Sequence, residues 1–276
     1  MVRLLRSNIL RLIKSKSFYI VLAIQAVTMV FLTINAKLAT LSPGAMGSPD
    51  MIFKYTACSV ETAVLLAAVC CLYIGADYSG GTIRNKLIIG HTRAEVYLAN
   101  LVTVITVALS IDVVSMLIFY PVTMPLLGEF WLNPEELASI FFLGVLILLV
   151  YSSIFTALAM TVRNTPATLI ISFALMFVMN LLATYLVSEI NAPATWVETS
   201  VDEFGEIITT TVPNPYRKSE GVLAFFKVLV NLFPSGHLTV LGSDLMSKWQ
   251  IAVSSFVLFG GFTAAGLVIF NRQNLK

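Results

Sequence analysis

The sequence predicts an all-α integral membrane protein with six transmembrane helices in a single transmembrane domain, residues 1–276. Three observations predict it. Hydrophobic residues make up 58% of the 276 and charged ones only 12%, where a soluble domain carries about 25%. Six apolar stretches approach or exceed the roughly 20 residues that a helix needs to cross a bilayer. The basic residues gather on one side of the alternating connections. Helices follow because isolated strands leave backbone groups unsatisfied in lipid. The first span is too long for a signal-peptide core and lacks a prompt small-x-small site, so no cleaved leader is expected.

Residues 1–16, MVRLLRSNILRLIKSK, read as an amphipathic interfacial helix. Val2, Leu5, Ile9, Leu12 and Ile13 share one face, and Arg3, Arg6, Ser7, Arg11 and Lys14 share the other. Such a helix lies with its apolar side in lipid and its basic side toward anionic headgroups. The spans follow at 18–36, 55–76, 96–122, 137–162, 167–187 and 249–270. Pro121 and Pro125 mark the end of the third. Asn133-Pro134-Glu135-Glu136 starts the fourth, with a capping Asn, Pro in the first turn and two acids at the positive end of the helix dipole. Asn164-Thr165-Pro166 starts the fifth after a very short turn.

Between spans two and three, Ser79-Gly80-Gly81 breaks the helix and Thr82 to Ile89 forms a short helix, with Ile83, Leu87 and Ile88 on one face. Gly90 ends it and His91-Thr92-Arg93 opens the next span. A short helix held between two spans suits docking to a partner. Residues 188–248 form the long extracellular region, acidic at first (Glu189, Glu198, Asp202, Glu203, Glu206) and turn-rich in the middle. Its segment Gly221–Phe233 is apolar but too short to span, and Pro234-Ser235-Gly236 breaks it. Two short re-entrant or interfacial helices before the last span are expected there.

An even span count puts both termini on one side. Placing them in the cytoplasm puts eleven of the 17 Lys and Arg residues inside, as the positive-inside rule requires. The loop with Glu129, Glu135 and Glu136 then lies outside. No internal repeat is evident, which argues against an inverted-repeat transporter.

Catalytic patterns are thin. GADYSGGT, Gly75 to Thr82, imitates a phosphate-binding loop, but Gly81 stands at the Lys position and a membrane helix precedes it. His91 and His237 fall on opposite sides of the membrane, and there is no His-Glu-x-x-His, Cys-x-x-Cys or Gly-x-Ser-x-Gly. Cys58, Cys70 and Cys71 read as small apolar side chains. Nucleic-acid binding has no support, because the basic residues lie beside lipid. Glu61 and Asp112 lie within spans, where an ionisable group is costly and by default suggests a function. Gln25 and Asn180 are weaker polar candidates, and Gly260 to Gly266 offers small faces for helix packing.

The stretch from Asp77 to Asn100, DYSGGTIRNKLIIGHTRAEVYLAN, resembles the signature of bacterial ABC exporter permeases of the type-two class. That family has an acidic residue, three residues, then Gly-Thr-[Ile/Leu], followed by an apolar run, a Ser/Thr-Arg pair and a Lys on the next helix. Asp77, Gly81, Thr82, Ile83, Thr92 and Arg93 match; Asn100 or a neighbour stands where the Lys is common, a departure. NLFPSGHLTVL is similar to the family's outer re-entrant region, and the likeness in layout covers the whole chain.

The resemblance implies a permease subunit in the bacterial plasma membrane. It implies pairing with a second copy or paralogue, and two separate ABC ATPase subunits that carry ATP and Mg. Residues 1–16 would be the elbow helix and 78–92 the coupling helix. ATPase coupling would fall to Asp77, Gly81, Thr82, Arg84, Asn85, Lys86 and Arg93. Spans two and five would line the substrate path at the dimer interface, with Glu61 and Asn180 near it and Asp112 a further candidate. Catalysis would belong to the partner. The alternatives are a proton-coupled secondary transporter using Glu61 and Asp112, and a non-transporting membrane sensor.

Overall fold

The computed structural model describes residues 1–40, 49–57, 59–128, 131–201, 207–241 and 245–273. Cys58, Glu129, Asp202, Glu203, Glu206 and Lys276, singled out or counted above, lie outside the described residues.

The chain is a multi-pass membrane protein. Among the described residues, six helical runs are long and apolar enough to cross a bilayer. The chain begins with α1 (Val2–Ile13) and α2 (Lys16–Thr40), the first span. The second span is α3 (Pro49–Ala57) followed by α4 (Val60–Ser79), which Ser59 caps by accepting from the Thr62 N–H at 3.0 Å. The short helix α5 (Thr82–Ile88) sits between two glycines with positive φ, Gly81 at +65° and Gly90 at +106°. Side chains rarely adopt that backbone, so these positions fix where α5 starts and stops. The third span opens on a capping box between Thr92 and Glu95 and runs through α6 (Arg93–Ile118).

Pro121 does not end that span. The helix continues through a π-helical turn, Phe119–Thr123, into α7 (Met124–Leu127). Proline removes one helical N–H and crowds the carbonyl one turn back, and a wider π turn accommodates both. Its Thr123 hydroxyl lies 2.7 Å from the Thr33 hydroxyl on α2, which ties the bulge to the first span.

Span four is α8 (Pro134–Val162), with the expected capping box from Asn133 to Glu136. It is the axis of the bundle, packed against α12, α4 and α6. Arg163 turns the chain at φ 62°, and Asn164 caps α9 (Thr165–Ile190) by accepting from the Ala167 N–H at 3.1 Å. The polar region beyond holds an element that the sequence reading missed, a hairpin of β1 (Thr195–Val201) and β2 (Ile207–Pro213), antiparallel with Thr195 opposite Pro213. The expected pair of short helices follows: α10 (Glu220–Asn231) and α11 (Pro234–Val240), bent 111° to each other. The last span is α12 (Lys248–Arg272).

The bundle has two distinct ends. At the terminal end, α1, α5 and the C-terminal end of α12 meet the start of α6. Close approach there rests on Gly266: a Cβ on it would lie 2.1 Å from the Tyr97 hydroxyl. Gly260 and Gly261 face open space within the chain, so only the last of the small residues on α12 packs as expected. At the opposite end sit α3, α7, α10, α11 and the hairpin. Large apolar side chains on α2, α9 and α12 face outward, as lipid-facing helices require.

Candidate functional site

The densest polar construction lies at the terminal end. Asp77, in the last turn of α4, is fully buried. A buried carboxylate is tolerable only when paired and hydrogen-bonded. Arg11 Nη1 of α1 donates to its Oδ1, and Lys86 Nζ of α5 donates to its Oδ2 at 2.9 Å. Lys86 also donates to Asn8 Oδ1 at 3.0 Å, and Asn8 Nδ2 donates to Asn100 Oδ1 on α6 at 3.0 Å. Asn100 in turn reaches Met160 Sδ on α8 at 3.3 Å. Tyr73 donates to the Asn8 carbonyl at 3.0 Å, and its ring lies 4.3 Å beneath the Arg11 guanidinium. One connected network thus joins α1, α4, α5, α6 and α8.

Two cations share one carboxylate in this network. Burial, and then repulsion from Arg11, pull the Lys86 ammonium down to about 8. Lys86 is therefore held inside the protein rather than offered to a partner.

A second anchor lies beside it. Arg93 Nη1 donates to the carbonyls of Phe270 at 3.2 Å and Asn271 at 2.8 Å, and to that of Gln273. These groups close α12, whose last carbonyls have no helical partner. Gln273 is held further by Arg163 Nε at 3.0 Å.

The residues proposed for coupling therefore divide. Asp77, Lys86 and Arg93 turn inward and bind the bundle together. Gly81 sets the left-handed entry to α5, and Thr82 is half-buried. Arg84 and Asn85 are exposed. Ile83 and Leu87 pack inward as read, but Ile88 does not share their face: it is 72% exposed, beside Ile89 at 79%. The outer surface of α5 is thus an apolar knuckle flanked by Arg84.

Within the network, Asn8 and Tyr73 escaped sequence reading, and Arg11 was assigned to the basic face turned toward lipid headgroups. The signal was present: Asn8 lies midway in the buried stripe Leu4, Asn8, Leu12, at four-residue spacing. The stripe packs on α6 and differs from the apolar face that the wheel suggested.

The candidates inside the spans are not brought together. Glu61 sits in the first turn of α4, beside the break from α3, and accepts from the Tyr55 hydroxyl at 2.9 Å. Tyr55 and Ser59 line an open, mostly apolar cavity of about 390 Å³ shared with Leu238 and Leu241 beside α11. Asp112 is buried on α6, and no hydrogen bond or ion pair joins it to Glu61 among the described residues. Asn180 is half-buried on α9. Helix α9 presents Phe173, Phe177, Leu181 and Tyr185 outward, whereas α4 is mostly covered within the chain. Of the two spans expected at a dimer interface, α9 is thus the one with a free face. Cys70 and Cys71 are buried free thiols, as expected.

No protein-family model matches the chain, and no curated protein is significantly similar to it.

Proposed function

We propose that this chain is the transmembrane permease subunit of an ATP-driven ABC transporter, exporting a peptide, antibiotic, lipid or other amphiphile by alternating access. The reading rests on one observation above the others. Helix α5 lies outside the spans, exposes Arg84, Asn85 and Ile88, with Ile89 just beyond, and is braced from behind by buried Asp77 and Lys86 and half-buried Arg11. A helix built this way can receive a push on its outer face and pass it to α1, α4 and α6 as a unit.

In this proposal the terminal end is cytoplasmic, as the basic residues of α1 and α5 suggest. The partner is a pair of ATPase subunits that bind ATP and Mg. A groove with apolar floor and acidic rim on each would accept Ile88, Ile89 and Arg84. A second permease copy or paralogue would pack on the apolar face of α9, and the membrane is the bacterial plasma membrane. ATP-driven closure of the ATPases would move α5 and tilt the spans around the cavity beside Glu61.

The test is co-expression with candidate ATPase subunits encoded nearby. Replacing Arg84 and Ile88 together by Glu is expected to abolish co-purification of the ATPases while leaving the permease folded. Unchanged co-purification and unchanged substrate-stimulated ATP turnover would refute the docking surface. Transport driven by a proton gradient with no ATPase, lost on Glu61→Gln, would favour the secondary-carrier reading instead.

A further inference from the structure

Around Ser115, where α2 meets α6, buried acceptors outnumber donors among the described residues. Asp112 lies near the middle of the continuous helical run Arg93–Leu127 and is 2% exposed. Neither of its carboxyl oxygens has a hydrogen-bond partner among the described residues. Three residues further on, on the same helix face, Ser115 is fully buried. It accepts from Gln25 Nε2 of α2 at 2.8 Å and donates its single proton to the Ile111 carbonyl at 3.1 Å. That arrangement orients the amide: Nε2 must face Ser115, and Gln25 Oε1 is left buried without a partner. Three acceptor atoms are thus orphaned among the described residues, two on α6 within one turn of Ser115 and one on α2.

Such a group requires a counter-charge or a proton. The charged side chains toward the same end, on elements packed against α6, are Lys37 on α2, Asp50 and Lys54 on α3, Glu61 on α4, Glu135 and Glu136 on α8, and Lys248 at the start of α12. Lys37 is exposed. Asp50 accepts from the backbone of Trp131 and Leu132, Glu61 accepts from Tyr55, and Glu136 belongs to the α8 capping box. Lys248 is exposed, and none of the seven reaches Asp112, whose oxygens have no hydrogen-bond partner among the described residues. The charged groups of α1, α5 and the end of α12 lie at the terminal end.

We propose that Asp112 is a membrane-embedded proton-binding site, a neutral carboxylic acid whose O–H supplies a further donor and whose acceptor is Gln25 Oε1. The step is a simple protonation: one carboxylate oxygen gains H⁺ from water, one O–H bond forms and no other bond changes. A proton fits better than a metal ion because it brings a donor to the orphaned amide oxygen. A hard divalent cation would need about six or more oxygen ligands, and one carboxylate beside one amide does not supply them. The loaded site holds α2 against α6, so its occupancy is tied to the packing of the first and third spans. The inference does not depend on the permease reading, since neither α5 nor a partner enters it.

Infrared spectroscopy of the full chain in lipid nanodiscs, near neutral pH, tests it. A protonated-carboxyl C=O band is expected in the wild type. It should be lost in Asp112→Asn and displaced in Gln25→Leu, where the acceptor is gone. Asp112→Asn should retain the wild-type melting temperature, since the amide replaces the O–H donor with an N–H donor. Should that variant not fold, the band is still identified in the wild type by its shift on H/D exchange and by its displacement in Gln25→Leu. Failure to find either effect would overturn the proposal. So would a melting temperature that rises with sodium, at constant ionic strength, in the wild type but not in Asp112→Asn.

Discussion

The two ends of the bundle are joined by different chemistry. At the terminal end a buried carboxylate, two cations and two amides lock α1, α4, α5 and α6 into one body. At the opposite end, among the described residues, the joints are neutral contacts, carboxylates that accept from backbone N–H groups or a tyrosine hydroxyl, and the surface pair Arg217–Glu220 at 2.9 Å. The His237 ring meets Ser254 Oγ at 2.9 Å and Ser255 Oγ at 3.1 Å, joining α11 to α12. Tyr151 and Ser235 meet at 2.8 Å, joining α8 to α11. Asp50 accepts two backbone N–H groups before α8. Between these joints lie open apolar cavities, one of about 410 Å³ beside Phe53, Tyr120 and Phe141. Charged joints in a dry interior are strong and all-or-none, whereas neutral ones separate at modest cost. The terminal end is thus joined as one body, whereas the joints at the opposite end are separate from one another.

Removing the shared carboxylate is the most severe way to break this contrast. Asp77→Asn leaves Lys86 buried, with Arg11 half-buried beside it, around a neutral amide. Stranding a buried charge costs about 3–5 kcal/mol, so thermal unfolding in nanodiscs should show a large loss of stability. Lys86→Met should cost clearly less, because Arg11 remains to balance Asp77. Equal losses for the two variants would mean that the cluster does not work as two cations on one anion.

Packing at the same end gives the next largest effect. In Gly266→Ala the new Cβ would lie 2.1 Å from the Tyr97 hydroxyl and 2.9 Å from the Ala157 Cβ, so the Tyr97 side chain or α12 must shift. Overpacking of this kind costs about 1–3 kcal/mol. Gly261→Ala, on the same helix with open space around it, should be neutral or stabilising by up to about 1 kcal/mol, the difference in helix propensity. Melting temperatures of the two variants should therefore move in opposite directions or diverge clearly.

The spans were legible because lipid leaves the chain little choice: a long apolar run must be a helix. The caps at Thr92, Asn133 and Asn164 were legible for the same local reason, since each capping group lies within three residues of the amide it satisfies. Pro121 was misread because a proline signal says that one hydrogen bond is lost, not whether a π turn absorbs the loss. The hairpin at Thr195–Pro213 was missed because its strands are short and polar, and their pairing is invisible to helical periodicity. The charged network was only half legible. Asp77 stood out by motif and Lys86 by its place on the short helix, but Arg11 and Asn8 come from a helix some 66 to 78 positions away in sequence. On that helix they read as an ordinary polar face, and tertiary packing alone turns them inward.

The mildest prediction probes the opposite end. Tyr55→Phe removes the hydroxyl that Glu61 accepts at 2.9 Å, beside the break between α3 and α4. Glu61 is half-buried at the edge of an open cavity, so water can replace the lost donor. The net loss of one such hydrogen bond is about 0.5–1.5 kcal/mol, and solvation should keep it at the low end. A melting temperature close to that of the wild type, with faster amide hydrogen exchange confined to α3 and the first turn of α4, is the expected result. It would mean that this joint opens locally without disturbing the rest of the bundle. A loss as large as that of Asp77→Asn would instead place Glu61 in a charged lock of its own, and the difference between the two ends would disappear.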